Sequence, residues 1–289
     1  MKNILVTGSS GYIGKNLIQS YEKEYRFDTF SLRKSSLVNC NLESIDVVVH
    51  CAALVHQKEQ FSYEEYYKIN VNYPFELARK AKENGVKQFI FLSTIAVYGD
   101  SYSFLDESTK PLPTTSYGKS KLEAEKKLQK LMDENFCVSI IRLPMVYGSN
   151  APGNIASLIK LIQKVPLLPF ADIKNRRTFI GIDNLLECLD TIIKKEISGL
   201  FLIADQESLS TTRLIELIGE ALEKRVVLIK VPLFESLLKL VKPSFHKRLY
   251  GSLEVDNQDT LRRLFGKVKT SLPFSVEDGI KLMIEGEKK

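Results

Sequence analysis

Histidine is scarce in this 289-residue chain: His50, His56 and His246 stand alone, so no metal site is suggested. The four cysteines, Cys40, Cys51, Cys137 and Cys188, show no paired spacing. That excludes a disulfide framework and fits a reducing compartment. Cys51, Cys137 and Cys188 lie in apolar stretches and are expected to be buried small hydrophobes. No apolar run approaches the ~20 residues of a membrane span. The chain starts with one lysine and goes directly into a strand-like run, so no signal peptide is visible and a cytoplasmic location is expected. The net charge of +6 comes from basic residues spread along helix-like segments. Without clustering there is no nucleic-acid footprint, only a modest bias toward anionic ligands such as nucleotides. Internal repeats and low-complexity segments are absent too. What remains is an ordinary globular composition, 44% hydrophobic and 26% charged, long enough for one large domain or two unequal ones.

The chain is organised around Val6-Thr7-Gly8-Ser9-Ser10-Gly11-Tyr12-Ile13-Gly14. It follows the apolar run Ile4-Leu5-Val6 and precedes a helical pattern from Lys15 to Tyr21, so it reads as strand, turn and helix. Gly8 allows the tight turn, Gly11 lets a pyrophosphate approach the backbone, and Gly14 lets the helix pack close to the strand. Free N–H groups at the helix start would face an anion. The spacing G-x-x-G-x-x-G is weak evidence alone and fits an ordinary tight turn equally well. Its position after the first strand favours dinucleotide binding, with Gly8, Ser10, Gly11, Tyr12, Ile13 and Gly14 as the contacts.

Further strands are expected at 27–32, 45–50, 87–93, 137–143 and 200–204, alternating with helices at 63–85 and 116–134. Alternation of this kind predicts an α/β fold, a doubly wound parallel sheet covered on both faces. From Gly148 the character changes, with a loop at 151–154 and later helical pieces broken by Pro232, Pro243 and Pro273. A smaller C-terminal lobe is therefore expected over 149–176 and 205–289, with 1–148 and about 177–204 forming the Rossmann domain.

Tyr117 and Lys121 stand four apart at a helix start, so their side chains point to one side. A lysine ammonium beside a phenol is expected to lower the tyrosine pKa and suit it to proton transfer at a carbonyl or carbinol. This spacing alone is usually accidental; combined with a glycine-rich turn a hundred residues upstream it is far more specific. Ser93 and Thr94 fall at the carboxyl end of the fourth strand, where open α/β sheets bind ligands. Either is a candidate to bond a substrate oxygen together with Tyr117, or else a turn residue satisfying local backbone.

In order along the chain, Thr7-Gly8-x-x-Gly11-x-x-Gly14, His50-Cys51-Ala52-Ala53, Asn70, Ser93-Thr94-x-x-Val97-Tyr98-Gly99, Tyr117-x-x-x-Lys121 and Arg142-x-x-x-Val146-Tyr147-Gly148 resemble the extended short-chain dehydrogenase/reductases of the nucleotide-sugar epimerase/dehydratase group. The resemblance covers about the first 190 residues well and the rest loosely. It implies a hydride relay on a UDP-linked sugar, with Tyr117 as acid/base, Lys121 tuning it and holding the nicotinamide ribose, and Thr94 on the sugar oxygen. It further implies that Ala52, Ala53 and Leu54 line the cofactor and that Arg177 pairs with the nucleotide diphosphate, as arginine's fork allows. Arg176 and Arg177 read equally as a solvated pair, and Asn154 as a diphosphate contact or a loop former. Homodimerisation through paired helices is common in such proteins.

Departures from the family pattern bear on the reaction. The 4,6-dehydratases carry Thr-Asp-Glu after the fourth strand; here Thr94-Ile95-Ala96 offers no proton-transfer group, which argues against a dehydratase. NAD users usually end the second strand with an acid; this chain has Ser31-Leu32-Arg33-Lys34. Arg33 and Lys34 would attract a 2′-phosphate, so NADP(H) is favoured over NAD(H), unless both are merely exposed loop charges. Met145 stands where many epimerases place Asn. The resemblance of 154–162, 166–169 and 175–184 to reductases then implies an NADPH-dependent reduction of the C4 ketone of a UDP-4-keto-6-deoxy-N-acetylhexosamine. An NAD-dependent UDP-hexose or UDP-N-acetylhexosamine 4-epimerase is the alternative. A non-catalytic cofactor-binding protein is the remote one, since such proteins typically lose the Tyr or Lys.

Overall fold

The computed structural model describes residues 1–31, 36–55, 61–266 and 271–287. In chain order its first half comprises β1 (Asn3–Thr7), α1 (Tyr12–Tyr21), β2 (Arg26–Phe30), β3 (Val47–His50), α2 (Tyr63–Tyr67), α3 (Tyr73–Glu83), β4 (Gln88–Thr94), β5 (Phe104–Leu105), α4 (Ser116–Gln129) and β6 (Cys137–Leu143). There follow β7 (Met145–Tyr147), α5 (Asn154–Lys164), β8 (Leu167–Leu168), β9 (Arg177–Gly181), α6 (Ile182–Lys195), β10 (Gly199–Leu202), β11 (Ser208–Leu209) and α7 (Thr211–Ala221). The chain ends with β12 (Val227–Leu228), α8 (Phe234–Val241), α9 (Pro243–Tyr250), β13 (Glu254–Val255), α10 (Gln258–Phe265) and α11 (Val276–Glu287).

Six strands form the main sheet in the order β10-β6-β4-β3-β1-β2, every pairing parallel. β3 is Val-Val-Val-His and wholly buried, as a central strand covered on both faces must be. Period-two alternation sends Ile4, Val6 and Val49 to one face, against Leu17 of α1 and Leu185 and Leu189 of α6. Leu5, Val48, Phe89 and Phe91 go to the other, against Leu77 of α3 and Ala124 and Leu128 of α4. The fold is the expected doubly wound one, and the order of strands reverses between β1 and β3. Ligands of open α/β sheets bind at that point, outside the carboxyl ends of the strands.

Arg177–Gly181 does not return to the main sheet, although 177–204 is expected there. As β9 it joins a three-stranded sheet, parallel to β7 and antiparallel to β11, and only α6 and β10 go back. Phe179 belongs to a separate core with Ile155, Ile159, Ile215, Ile218 and Ile280 from α5, α7 and α11. The buried Asp205 ties the two regions together. It accepts from Tyr147 Oη at 2.9 Å, Gly181 N at 3.1 Å and Asn184 Nδ2 at 2.7 Å. Its burial pushes the carboxyl up to about 6.

The helix expected over 63–85 is interrupted. Lys68–Asn72 forms a π-helical turn between α2 and α3, a feature that often marks a functional site. All four cysteines are free; Cys40 and Cys188 are buried, whereas Cys51 and Cys137 are only half-buried. Cys137 begins its strand near the surface, with its thiol donating to Glu196 O at 3.2 Å. Among the described residues no helix is long and apolar enough to cross a membrane.

Candidate active site

The turn after β1 is built by exclusion of side chains. Gly8 has φ +73°, and a Cβ on it would lie 2.6 Å from Ala52 N, at the end of β3. A Cβ on Gly14 would lie 2.6 Å from Gly8 O, so only glycine lets α1 press on the turn. The Gly11 N–H donates to Gly8 O at 2.9 Å, and no side chain caps α1 behind it, leaving its first N–H groups for an anion. Gly8, Gly11, Tyr12, Ile13 and Gly14 line a cavity of about 230 Å³ together with Cys51, Val146 and Pro152. Ser10 of the same turn is exposed. Tyr12 Oη is buried without a hydrogen-bond partner among the described residues, and a Cβ on Gly148 would run into it. A dinucleotide fits this cradle: the backbone approach is open, the donors are uncapped, and one polar atom lacks a partner.

The π turn locks the loop after β3. Buried Asn70 accepts from Leu54 N at 2.7 Å and donates to Leu54 O at 3.0 Å and Ser120 Oγ at 3.1 Å. One amide thus fixes Leu54, beside the half-buried Ala52 and Ala53, to α4. His50, just before this loop, hydrogen-bonds Thr7 through Nδ1 at 2.8 Å and stacks on Phe91, so it is a core side chain.

Thr94 ends β4, and Tyr117 opens α4, whose first turn is capped by Thr115 accepting from Gly118 N at 3.0 Å. A Cβ on Gly118 would lie 2.5 Å from Ala96 O, so this glycine lets α4 approach the loop after β4. The result is a side-chain hydrogen bond between Tyr117 and Thr94. Ile95 and Ala96 follow in a 3₁₀ turn. Lys121 is fully buried one turn further, its Nζ 3.9 Å above the Phe91 ring. Its charge is felt by His50 and Cys51, which sets it beside the glycine cradle.

Electrostatics here correct the sequence expectation that lysine lowers the tyrosine pKa. Burial raises Tyr117 to about 12, only partly opposed by the Thr94 hydrogen bond. Burial also lowers Lys121 to about 7, opposed by Glu125. Loss of water disfavours both charged forms, and Lys121 is not among the groups that shift Tyr117.

Behind the pair lies a buried network not anticipated from sequence. Glu125 is on the Tyr117–Lys121 face of α4, another turn along. It takes Arg142 of β6 in a fork, with contacts of 2.6–3.2 Å, and accepts from Ser93. Arg142 also donates to Tyr98 Oη at 2.8 Å. The Ser93 hydroxyl is thus occupied by Glu125, which leaves Thr94 as the strand-end hydroxyl that meets Tyr117. The i, i+4, i+8 spacing from Tyr117 was the available signal for Glu125.

Arg177 is half-buried, its Nη1 3.2 Å from Gly251 O; burial, and after it the charge of Arg248, holds its pKa below the ordinary arginine value. Two neighbouring guanidiniums make a place for an anion; Arg248 carried no recognisable motif. Arg176 instead points outward to Glu254, at 2.6 Å. Asn154 is exposed at the first position of α5, two residues from the cavity-lining Pro152. Arg33, Lys34 and His56 lie outside the described residues.

Residues 4–204 match the model of the NAD dependent epimerase/dehydratase family. The chain belongs to that family. A Vibrio cholerae protein described as UDP-glucose 4-epimerase is 33% identical, over 97% of this chain and 94% of its own. Among solved structures, the UDP-N-acetylglucosamine 4-epimerase of Bacillus cereus superposes with a TM-score of 0.78, covering all of both chains at 19% identity. The dTDP-4-dehydrorhamnose reductase of Bacillus anthracis, solved in complex with NADP, reaches 0.76 over 99% of each chain at 20% identity. Such identities establish the fold alone. This epimerase/dehydratase-family protein is accordingly an NAD(P)-dependent nucleotide-sugar enzyme with a Rossmann sheet.

Proposed function

We propose that this protein is a 4-epimerase acting on a UDP-linked hexose or N-acetylhexosamine. The observation that carries the reading is the Tyr117–Thr94 hydrogen bond beside buried Lys121 and the glycine cradle. Its weight over reduction comes from the V. cholerae relative, similar along nearly the whole of both chains. In this reading Gly8, Ser10, Gly11, Tyr12, Ile13 and Gly14 hold the dinucleotide diphosphate, Ala52, Ala53 and Leu54 line its nicotinamide end, and Lys121 faces its ribose. The bound dinucleotide supplies a hydride acceptor at C4 that can later return the hydride. Tyr117 in its phenolate form, which burial makes the minor one at pH 7, would take the proton of the C4 hydroxyl as the ketone forms and give it back when the alcohol is restored, while Thr94 hydrogen-bonds the same oxygen. Arg177, Arg248 and Asn154 hold the UDP diphosphate, the arginines by charge-assisted bonds.

The test is to incubate the purified enzyme with UDP-glucose and with UDP-N-acetylglucosamine, and to look for the C4 epimers by NMR without net cofactor consumption. The competing reading is the 4-keto reductase, favoured by Arg33 and Lys34 in place of an acid after β2 and by Met145. It requires stoichiometric oxidation of NADPH or NADH with UDP-4-keto-6-deoxy-N-acetylglucosamine. No epimer from either sugar, with oxidation of the reduced cofactor by the keto sugar, overturns the epimerase.

A further inference from the structure

The hairpin of α8 and α9 carries an apolar face that no other described part of the chain covers. Phe234 turns inward, its ring 6.2 Å from that of Phe170, and anchors α8 to the core of the small lobe. By helical spacing residues 233, 237, 240 and 241 cluster along one side of α8, adjoining Phe234, with Leu233 and Leu240 furthest from it. Leu233 is 81% and Leu240 82% exposed; Leu237 and Val241 are exposed with them, and Phe245 of α9 extends the patch. Neither helix has a fully buried side chain. Leu233 moreover has φ +61°, a backbone that a bulky residue rarely adopts, so α8 begins on a strained residue whose leucine side chain stands in solvent. Contiguous apolar surface of this kind marks an interaction site.

Its surroundings select the partner. Between residues 230 and 250 the cations are Lys230, Lys239, Lys242, Lys247 and Arg248, against the one acid Glu235. Lys230 meets Asp172 at 3.7 Å and Lys247 meets Asp100 at 2.9 Å, whereas Lys239 and Lys242 make no ion pair among the described residues. A second copy seated on the face would bring the same cations against each other. An anionic surface would neutralise them while the leucines leave water. Apolar residues at helical spacing with a lysine rim are what a helix lying in the headgroup region of a bilayer presents. We propose that the α8–α9 hairpin docks this protein on an anionic lipid membrane. α8 has eight residues, so the docking is shallow and reversible. It is independent of which C4 reaction the enzyme catalyses.

The experiment is co-sedimentation of the full-length protein with vesicles of phosphatidylglycerol in phosphatidylcholine, and with vesicles of phosphatidylcholine alone. The protein should pellet with the first, more weakly as salt is raised, and not with the second. Leu237→Glu/Leu240→Glu and Lys239→Glu/Lys242→Glu should each weaken binding by roughly tenfold or more, with the melting temperature unchanged. Failure of the wild-type protein to pellet with the phosphatidylglycerol vesicles, or pelleting of either variant as strong as wild type, would overturn the proposal. So would a wild-type dimer in light scattering that Leu237→Glu/Leu240→Glu dissociates, which would assign the face to a second copy.

Discussion

Replacing Lys121 by Met should make the protein more stable and far less active. Lys121 is fully buried, and its pKa falls from 10.5 to about 7 because burial disfavours the ammonium. At ~1.36 kcal/mol for each pH unit, that fall costs folding about 4–5 kcal/mol at pH 7. The Phe91 ring beneath the ammonium, 3.9 Å away, returns at most about 2 kcal/mol. Methionine is unbranched and adaptable, so it can fill much of the same channel without a charge. The net gain expected at pH 7 is about 2–3 kcal/mol, or roughly a 1 M rise in the urea midpoint. The sign with pH is specific. Above pH 7 the unfolded chain still holds the lysine proton while the folded one has released it, so wild-type stability rises with pH until 10.5. The advantage of Met is therefore full at or below pH 7 and shrinks to about 1 kcal/mol or less by pH 10. Urea unfolding of both proteins at the two pH values reads this directly, since other titrations cancel in the comparison. A Met variant less stable than wild type at pH 7, or a gain identical at both pH values, would refute a buried, destabilised lysine.

Tyr117→Phe should leave dinucleotide binding intact in a fluorescence titration and lower turnover by about 10²–10⁴-fold; near-normal turnover would remove Tyr117 from the role of acid/base. Gly8→Ala places a Cβ 2.6 Å from Ala52 N on a backbone with φ +73°. The same titration should then lose most of its amplitude, and intact binding would mean that the cradle lies elsewhere. Arg142→Leu strands the buried Glu125 and should cost about 3–5 kcal/mol in chemical denaturation. Arg142→Leu with Glu125→Leu should cost less than the single change, and an additive double variant would show that the two are not coupled.

The sheet was legible because parallel strands buried on both faces must be apolar throughout: Val47–Val49 and Phe89–Leu92 admit little else. The cradle was legible because its glycines answer to backbone approach, and the structure supplies the opposing atoms, Ala52 N and Gly8 O. Residues whose purpose is met only by long-range partners were not legible. Gly118 reads as a poor helix residue until Ala96 O is found against it. Arg248 reads as one more surface cation until Arg177 is beside it. The placement of β9 was missed because an apolar five-residue strand carries no signal for which sheet it joins. The Tyr117 pKa was misjudged because spacing gives the neighbour but not the depth of burial, and here burial dominates.

What distinguishes the site from the rest of the fold is a concentration of local costs. Gly8 sits in the left-handed region, Lys68–Asn72 departs from the α-helical ladder, Lys121 is a buried base, and Tyr12 Oη is buried without a partner among the described residues. Each is unfavourable alone, and natural sequences keep such features where function requires them. They also share supports: Asn70 of the π turn bonds both Leu54 and Ser120, and Ser120 directly precedes Lys121. Glu125, one turn beyond Lys121, bonds Ser93, which directly precedes Thr94. The loop after β3, α4 and the end of β4 are therefore clamped to one another by two buried polar side chains. That is why a base as poorly solvated as Lys121 can be held in place beside the cradle.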